Sequence, residues 1–262
     1  MIYLPSSDVY FSEHEKLNTY LKLSRIGCPV FKSVLIENNI LSSEDVDNIA
    51  NHLEAEYCTL RYQYTHPNSN PVRGGNKIKL RYDVLVSKII PDALLWLLEP
   101  IDRLKNTYGI NMYFFHSKEI LIFECVGKGF DVSDLNRGNS NPHQIISFNL
   151  PIEYGWYNEW WKYANFQYIS NHDYEISKDI RLDKLNKLGF LNVNKNIFDS
   201  VYRPLPISLI EILMKYSQLI YLSLINENEF VVSCSIDDKY KIIFWDIQTP
   251  EGKIKILGGN KS

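Results

Sequence analysis

Apolar and polar positions follow two rhythms along the chain, one of helical period and one of short apolar runs, and the elements they predict come in mixed order. Residues 12–26, SEHEKLNTYLKLSRI, put Leu17, Tyr20, Leu21 and Leu23 at helical spacing behind a Ser12 N-cap signal with Glu15 three residues on. Gly27 stops that helix, and Cys28-Pro29-Val30-Phe31 leads into a strand over 34–36. Ser42 or Ser43, with Glu44 and Asp45 in the first turn, opens a helix to about Leu53. A strand over 57–64, a Pro- and Asn-rich loop with Gly74-Gly75, and a strand over 77–82 come next. Residues 91–106, PDALLWLLEPIDRLKN, read as an apolar helix kinked near Pro100. Strands over 112–116 and 119–124 form a hairpin, and a strand over 144–150 follows a polar turn. A short helix around 183–188 ends at Gly189. Pro204 and Pro206 introduce a helix over 207–222 with Leu209, Ile210, Leu213, Tyr216 and Ile220 on one face. Strands over 230–236 and 241–247, joined by a turn at Asp237-Asp238-Lys239, close the pattern.

Composition narrows the function classes. A chain of 262 residues, 45% hydrophobic and 23% charged, builds a soluble globular protein of one large or two small domains. Its net charge of -3, without a basic tail or charge run, gives no electrostatic support for general nucleic-acid or membrane-surface binding. Cys28, Cys58, Cys125 and Cys234 are scattered without a CxxC pair, which fits reduced thiols and a cytoplasmic location. The N-terminus lacks a signal-peptide pattern, and no apolar run reaches membrane-spanning length. With 18 Tyr, 12 Phe and 5 Trp the chain is rich in aromatic residues, most densely over 154–168, YGWYNEWWKYANFQY. That patch, with Trp156, Trp160 and Trp161, is a stacking surface for a sugar, a base or a peptide, or else core or interface.

Two loops carry candidate chemistry. Residues 119–138, EILIFECVGKGFDVSDLNRG, run from a buried strand into a loop that brings Glu124, Asp131 and Arg137 toward one sheet edge, where polar ligands dock. A strand, a Gly turn and a solvated loop give the same pattern, and Arg137 equally suits a surface pair with Asp131 or Asp134. The loop THPNSNPVRGGNKIKL offers backbone N–H groups and Arg73 or Lys77 to an anion, or is a plain hairpin turn at Gly74-Gly75. It has neither P-loop nor GxGxxG spacing. The six histidines show no HxH or HxxxH spacing, and there is no GxSxG, so neither a zinc site nor a serine hydrolase is indicated.

Taken together, EKLNTYLKLSRIGCPVF, CTLRYQ with the glycine loop, and FECVGKGFDVS resemble the ATP-grasp superfamily, specifically its D-alanine–D-alanine ligase and related carboxylate–amine ligases. The closing FWDIQTPEG resembles that family's Glu-x-Asn metal motif. The likeness covers 13–252, with a poorer match over 139–205. It implies an α+β fold with nucleotide between two β-rich halves flanked by helices, residues 1–138 and 139–262. It implies ATP and Mg²⁺ as cofactors. Lys16, Arg61, Gly74 and Gly75 would meet phosphate, backbone groups of Glu124, Cys125 and Val126 the adenine edge, and Asp131 the ribose hydroxyls. Asp246 and Gln248 would be oxygen ligands for Mg²⁺, and Arg73 and Arg137 would act on the transferred phosphoryl group or the substrate carboxylate. Arg61 stands in place of the family's second lysine, Asp-x-Gln in place of Glu-x-Asn, and Ser233 falls where a preceding acidic ligand is expected, with Glu229 or Asp237 as substitutes. The family's small preceding domain is absent before Lys16, so the expectation is either that a partner protein or second copy completes the site or that this copy has lost catalysis. The implied reaction is ATP-dependent activation of a small-molecule or peptide carboxylate; the rival is a non-catalytic nucleotide-binding or protein-interaction module on the same fold.

Overall fold

Two antiparallel sheets organise the chain, each within its own compact unit. The computed structural model describes residues 1–5, 15–36, 41–64, 76–90, 93–100, 106–127, 132, 135, 142–149, 160, 164–169, 175–178, 204–224 and 227–248. One unit comprises residues 1–24 and 29–102, the other residues 25–28 and 103–262. The hairpin around residue 117 falls in the second unit because it pairs with later strands.

The first unit contains β1 (Ile2–Leu4), α1 (Glu15–Ile26), β2 (Ser33–Ile36), α2 (Ser43–Leu53), β3 (Tyr57–Tyr64), β4 (Asn76–Lys79), α3 (Tyr82–Val86) and β5 (Ala93–Leu98). Its sheet runs β1-β2-β5-β3-β4. The start of α2 is fixed by a capping box in which the Ser42 hydroxyl accepts from the Asp45 N–H at 3.1 Å and Asp45 accepts from the Ser42 N–H at 2.7 Å. Val46, Ile49 and Leu53 of this helix then pack on one sheet face with Val34, Ile36, Leu60, Leu95 and Leu97. Trp96 alternates with Leu95 and Leu97, so it serves the other face. There the Tyr20 ring of α1 meets it edge-on at 5.5 Å. The helix expected over 91–106 is therefore corrected: residues 93–98 are a strand paired on both sides, by β2 and β3. A strand covered on both faces shows an unbroken apolar run, which has no alternation to distinguish it from a helix. The short β1 and α3 are additional to the sequence pattern.

The second unit contains β6 (Asn106–Phe115), a 3₁₀ turn (His116–Lys118), β7 (Ile120–Val126), β8 (Gln144–Asn149), β9 (Ala164–Ile169), β10 (Glu175–Lys178), α4 (Ile207–Ser223), β11 (Glu229–Asp237) and β12 (Ile242–Gln248). Its sheet runs β10-β9-β8-β7-β6-β11-β12. Helix α4 covers one face, with Tyr216 edge-on to Phe244 at 5.3 Å and the Ser217 hydroxyl 3.6 Å from the Met112 sulfur. On the other face Tyr113, Phe115, Ile122, Ile145 and Val231 cluster. Trp160 is buried and edge-on to Phe148 at 6.1 Å, so this member of the aromatic patch is core and no open stacking platform. Trp156, Trp161 and the helix expected over 183–188 lie outside the described residues. Among the described residues, no helix is long and apolar enough to cross a membrane.

Candidate functional site

Strand β7 runs through the interior of the seven-stranded sheet, between β6 and β8. Glu124 is opposite Asn111 on one side and Ile145 on the other, and Cys125 lies between Ile110 and Gln144. Past the last β8 pairing, the His143 N–H donates to the Cys125 carbonyl at 2.8 Å, and Val126 is opposite Gly109. The backbone of Glu124, Cys125 and Val126 is thus committed to the sheet. Cys125 is fully buried, and that burial pushes its thiol well above the ordinary range.

What Glu124 offers is its side chain. Four polar residues stand in register across four adjacent strands: Glu124 on β7, Asn111 on β6, Ser233 on β11 and Asp246 on β12. Residues in register share a sheet face, so a polar row crosses the face that also carries Tyr113 and Val231. Glu124 and Asn111 are fully buried and Ser233 is 2% exposed. The Tyr113 hydroxyl donates to Glu124 Oε2 at 2.7 Å, the Ser233 hydroxyl donates to Asn111 Oδ1 at 2.8 Å, and Gln248 Nε2 donates to Asp246 Oδ2 at 2.6 Å. Burial, and after it the Glu124 charge, pushes the Tyr113 phenol up, so it stays a donor at physiological pH. Asn111 and Tyr113 are members of this row and its surroundings that the sequence pattern did not single out. Their signal is two polar side chains two residues apart inside the apolar run GINMYFF.

The expected metal ligands Asp246 and Gln248 are therefore together and half-buried. Three strand spacings of about 4.8 Å put the Glu124 and Asp246 backbones about 14 Å apart, and Tyr113 holds Glu124 at its end of the row. The carboxylates do not form a pair, and among the described residues no three His, Cys, Asp or Glu side chains could together hold a metal ion. Mg²⁺, however, binds through one or two carboxylates plus substrate phosphates, retaining water, more often than in an all-protein cage. One carboxylate beside a Gln amide and a Ser hydroxyl fits a Mg²⁺ that arrives with its phosphates. It does not fit an ion held by protein alone.

In the first unit, Arg61 is opposite Trp96, with its guanidinium carbon 5.9 Å from the ring centroid. Lys16 is the second residue of α1. Arg73, Gly74, Gly75, Asp131 and Arg137 lie outside the described residues.

No protein-family profile matches the chain, and no curated protein sequence does. Solved structures do. D-alanyl-alanine synthetase A from Vibrio cholerae is 9% identical with a TM-score of 0.46, over 90% of this chain and 55% of that one. Carboxyaminoimidazole ribonucleotide synthase from Aspergillus clavatus, in complex with ATP, is 9% identical with a TM-score of 0.44, over 90% and 44%. D-alanine–D-alanine ligase from Bacillus anthracis, also with ATP, is 13% identical with a TM-score of 0.40, over 90% and 54%. These solved structures are ATP-grasp ligases, and this chain spans about half their length.

Proposed function

We propose that the chain is an ATP-dependent ligase of the ATP-grasp kind that activates a carboxylate as an acyl phosphate. The observation that carries this reading is the polar row ending at Asp246, because Asp246 and Gln248, which the sequence motif nominates as Mg²⁺ ligands, are hydrogen-bonded to each other at its end. In the reaction a substrate carboxylate oxygen forms a bond to the γ-phosphorus while the bond from that phosphorus to the β-phosphate oxygen breaks, releasing ADP. An amine or other nucleophile then attacks the acyl carbon, and phosphate leaves. Lys16, Arg61 and Arg73 neutralise charge that builds on the transferred group, which is the main contribution a protein makes to phosphoryl transfer. Arg137 holds the substrate carboxylate or the γ-phosphate, Asp131 accepts from the ribose, and Gly74 and Gly75 let backbone N–H groups approach phosphate. Mg²⁺, when bound, supplies further phosphate neutralisation at Asp246 and Gln248.

Hydroxylamine trapping tests this. Protein, ATP, Mg²⁺ and a panel of small and peptide carboxylates are incubated with hydroxylamine, and ADP and hydroxamate are measured. ADP release that needs one class of carboxylate, yields its hydroxamate and is lost in Asp246→Ala is the expected result.

A second reading is favoured by Ser233. Its hydroxyl occupies the strand position beside Asp246 and is already donated to Asn111, so the row holds one carboxylate at its metal end. In that reading the site binds nucleotide without turning it over. ATP binding without ADP release in the presence of any carboxylate of the panel selects it.

A further inference from the structure

Strand β12 changes register part-way along its pairing with β11. Ser233 is opposite Asp246 but Cys234 is opposite Phe244, so Trp245 is an extra residue inserted between the two pairs, a β-bulge. The insertion decides which face Asp246 and Gln248 occupy. In a regular strand Phe244, Asp246 and Gln248 would share one face. Phe244 is fully buried with Tyr216 of α4 edge-on to it, and its face is also that of Val232 and Met112, where the Ser217 hydroxyl reaches the Met112 sulfur. Continued without the extra residue, the register would set Asp246 opposite Val232 and Gln248 opposite Phe230, both buried and apolar. A carboxylate is costly to bury there. The bulge turns both polar residues instead onto the face of Ser233 and Asn111.

Trp245 is also fastened to that face. Its indole Nε1–H donates to the Ser235 hydroxyl at 2.8 Å, and Ser235, two residues from Ser233, lies on the same face of β11. Ser235 is buried, and β11 is paired on both sides, by β6 and β12, so the bond ties the bulge to the body of the sheet. Bulges also blunt exposed edges, and among the described residues β12 is the last strand of its sheet. Edge protection, however, is met by a bulge anywhere along β12 and needs no side-chain anchor. This one falls directly before Asp246.

We infer that the bulge at Trp245, pinned to Ser235, is the device that sets Asp246 and Gln248 on the polar row, which makes Trp245 and Ser235 positioning residues for the metal end of the site. This rests on the nucleotide reading above and adds to it two residues that would touch neither the ion nor the nucleotide. Mg²⁺ takes its oxygen ligands at about 2.1 Å in near-octahedral geometry. A bulge that lets the carboxylate shift therefore weakens the ion's hold before it unfolds the strand.

Calorimetric titration of the full chain with ATP, with and without Mg²⁺, tests the inference, read as the ratio of the two affinities. Trp245→Phe keeps an aromatic ring but removes the donor, and Ser235→Ala removes the acceptor. Each is expected to lower the ratio about tenfold, the lower end of what residues supporting a metal ligand contribute, while ATP affinity without Mg²⁺ stays at the wild-type value. The double variant is expected to lower it no further than either single change, because both remove one bond. Ser235→Thr retains the hydroxyl and is expected to retain the ratio. Phe244→Leu, on the opposite face of the same strand, separates positioning from stability: it is expected to lower the urea midpoint and keep the ratio. If the wild type shows the Mg²⁺ effect and Trp245→Phe and Ser235→Ala keep it, or if Phe244→Leu loses it as far as they do, the inference is overturned while the nucleotide reading stands. If the wild type binds no ATP, or binds it equally with and without Mg²⁺, the nucleotide reading or its metal part falls and the inference falls with it.

Discussion

A carboxylate as deeply enclosed as Glu124 is sustained by the donors that reach it, and the Tyr113 hydroxyl at 2.7 Å is one of them. Removing that hydroxyl leaves a buried charge short of a charge-assisted hydrogen bond. Tyr113→Phe is therefore expected to lower unfolding stability by about 1.5–3 kcal/mol, read from urea denaturation, and the pair Tyr113→Phe with Glu124→Gln is expected to cost less than the sum of the two single changes. An additive pair would mean that the two side chains do not act together. Two histidines add a pH dependence. Burial holds the imidazoles of His116 and His143 below their ordinary range, and the Gly127 N–H donates to His143 Nδ1 at 3.1 Å, which requires that nitrogen unprotonated. In the unfolded chain both take a proton near pH 6.5, and in the folded protein only at lower pH. Their contribution is thus complete above about pH 6.5 and is lost as pH falls toward the folded values. Unfolding free energy measured at pH 7.5 and 5.5 is expected to fall less in His143→Asn than in the wild type.

At the scale of elements, most of the fold was legible wherever a local rule decides the outcome. The Ser42 capping box, the Pro206 start of α4 and the β11–β12 hairpin were readable because caps, prolines and turns act within a few residues. Gly27 stops α1 with a φ of +90°, and a Cβ built there meets nothing within 4 Å. Only backbone strain then opposes a side chain, and Gly27→Ala is expected to cost about 1–2 kcal/mol in thermal or urea unfolding. An unchanged midpoint would mean that the chain relaxes this turn. Strand β5 was not legible, because ALLWLL consists mainly of good helix formers and its strand state is imposed by β2 and β3 on either side. The same limit explains Glu124. That a strand begins near Ile120 follows from its apolar run; that it lies inside a sheet, with its backbone edge closed, depends on β8 and β6, whose pairing no local pattern specifies.

At the scale of the whole molecule, the closeness of Asp246 and Gln248 was legible, since two residues apart on a strand they share a face. The row that continues from them through Ser233 and Asn111 to Glu124 was not, because it draws on strands far apart in sequence. In the proposed function that row is the phosphate side of a nucleotide site with a single carboxylate for Mg²⁺. Its most direct test is calorimetric titration with ATP, with and without Mg²⁺, on the wild type and on Asp246→Ala. Mg²⁺ alone is expected to bind too weakly to detect, Mg²⁺ is expected to tighten ATP binding to the wild type, and Asp246→Ala is expected to keep ATP binding but lose the Mg²⁺ effect. Failure of the wild type to bind ATP under either condition, or a Mg²⁺ effect that survives in Asp246→Ala, would contradict it.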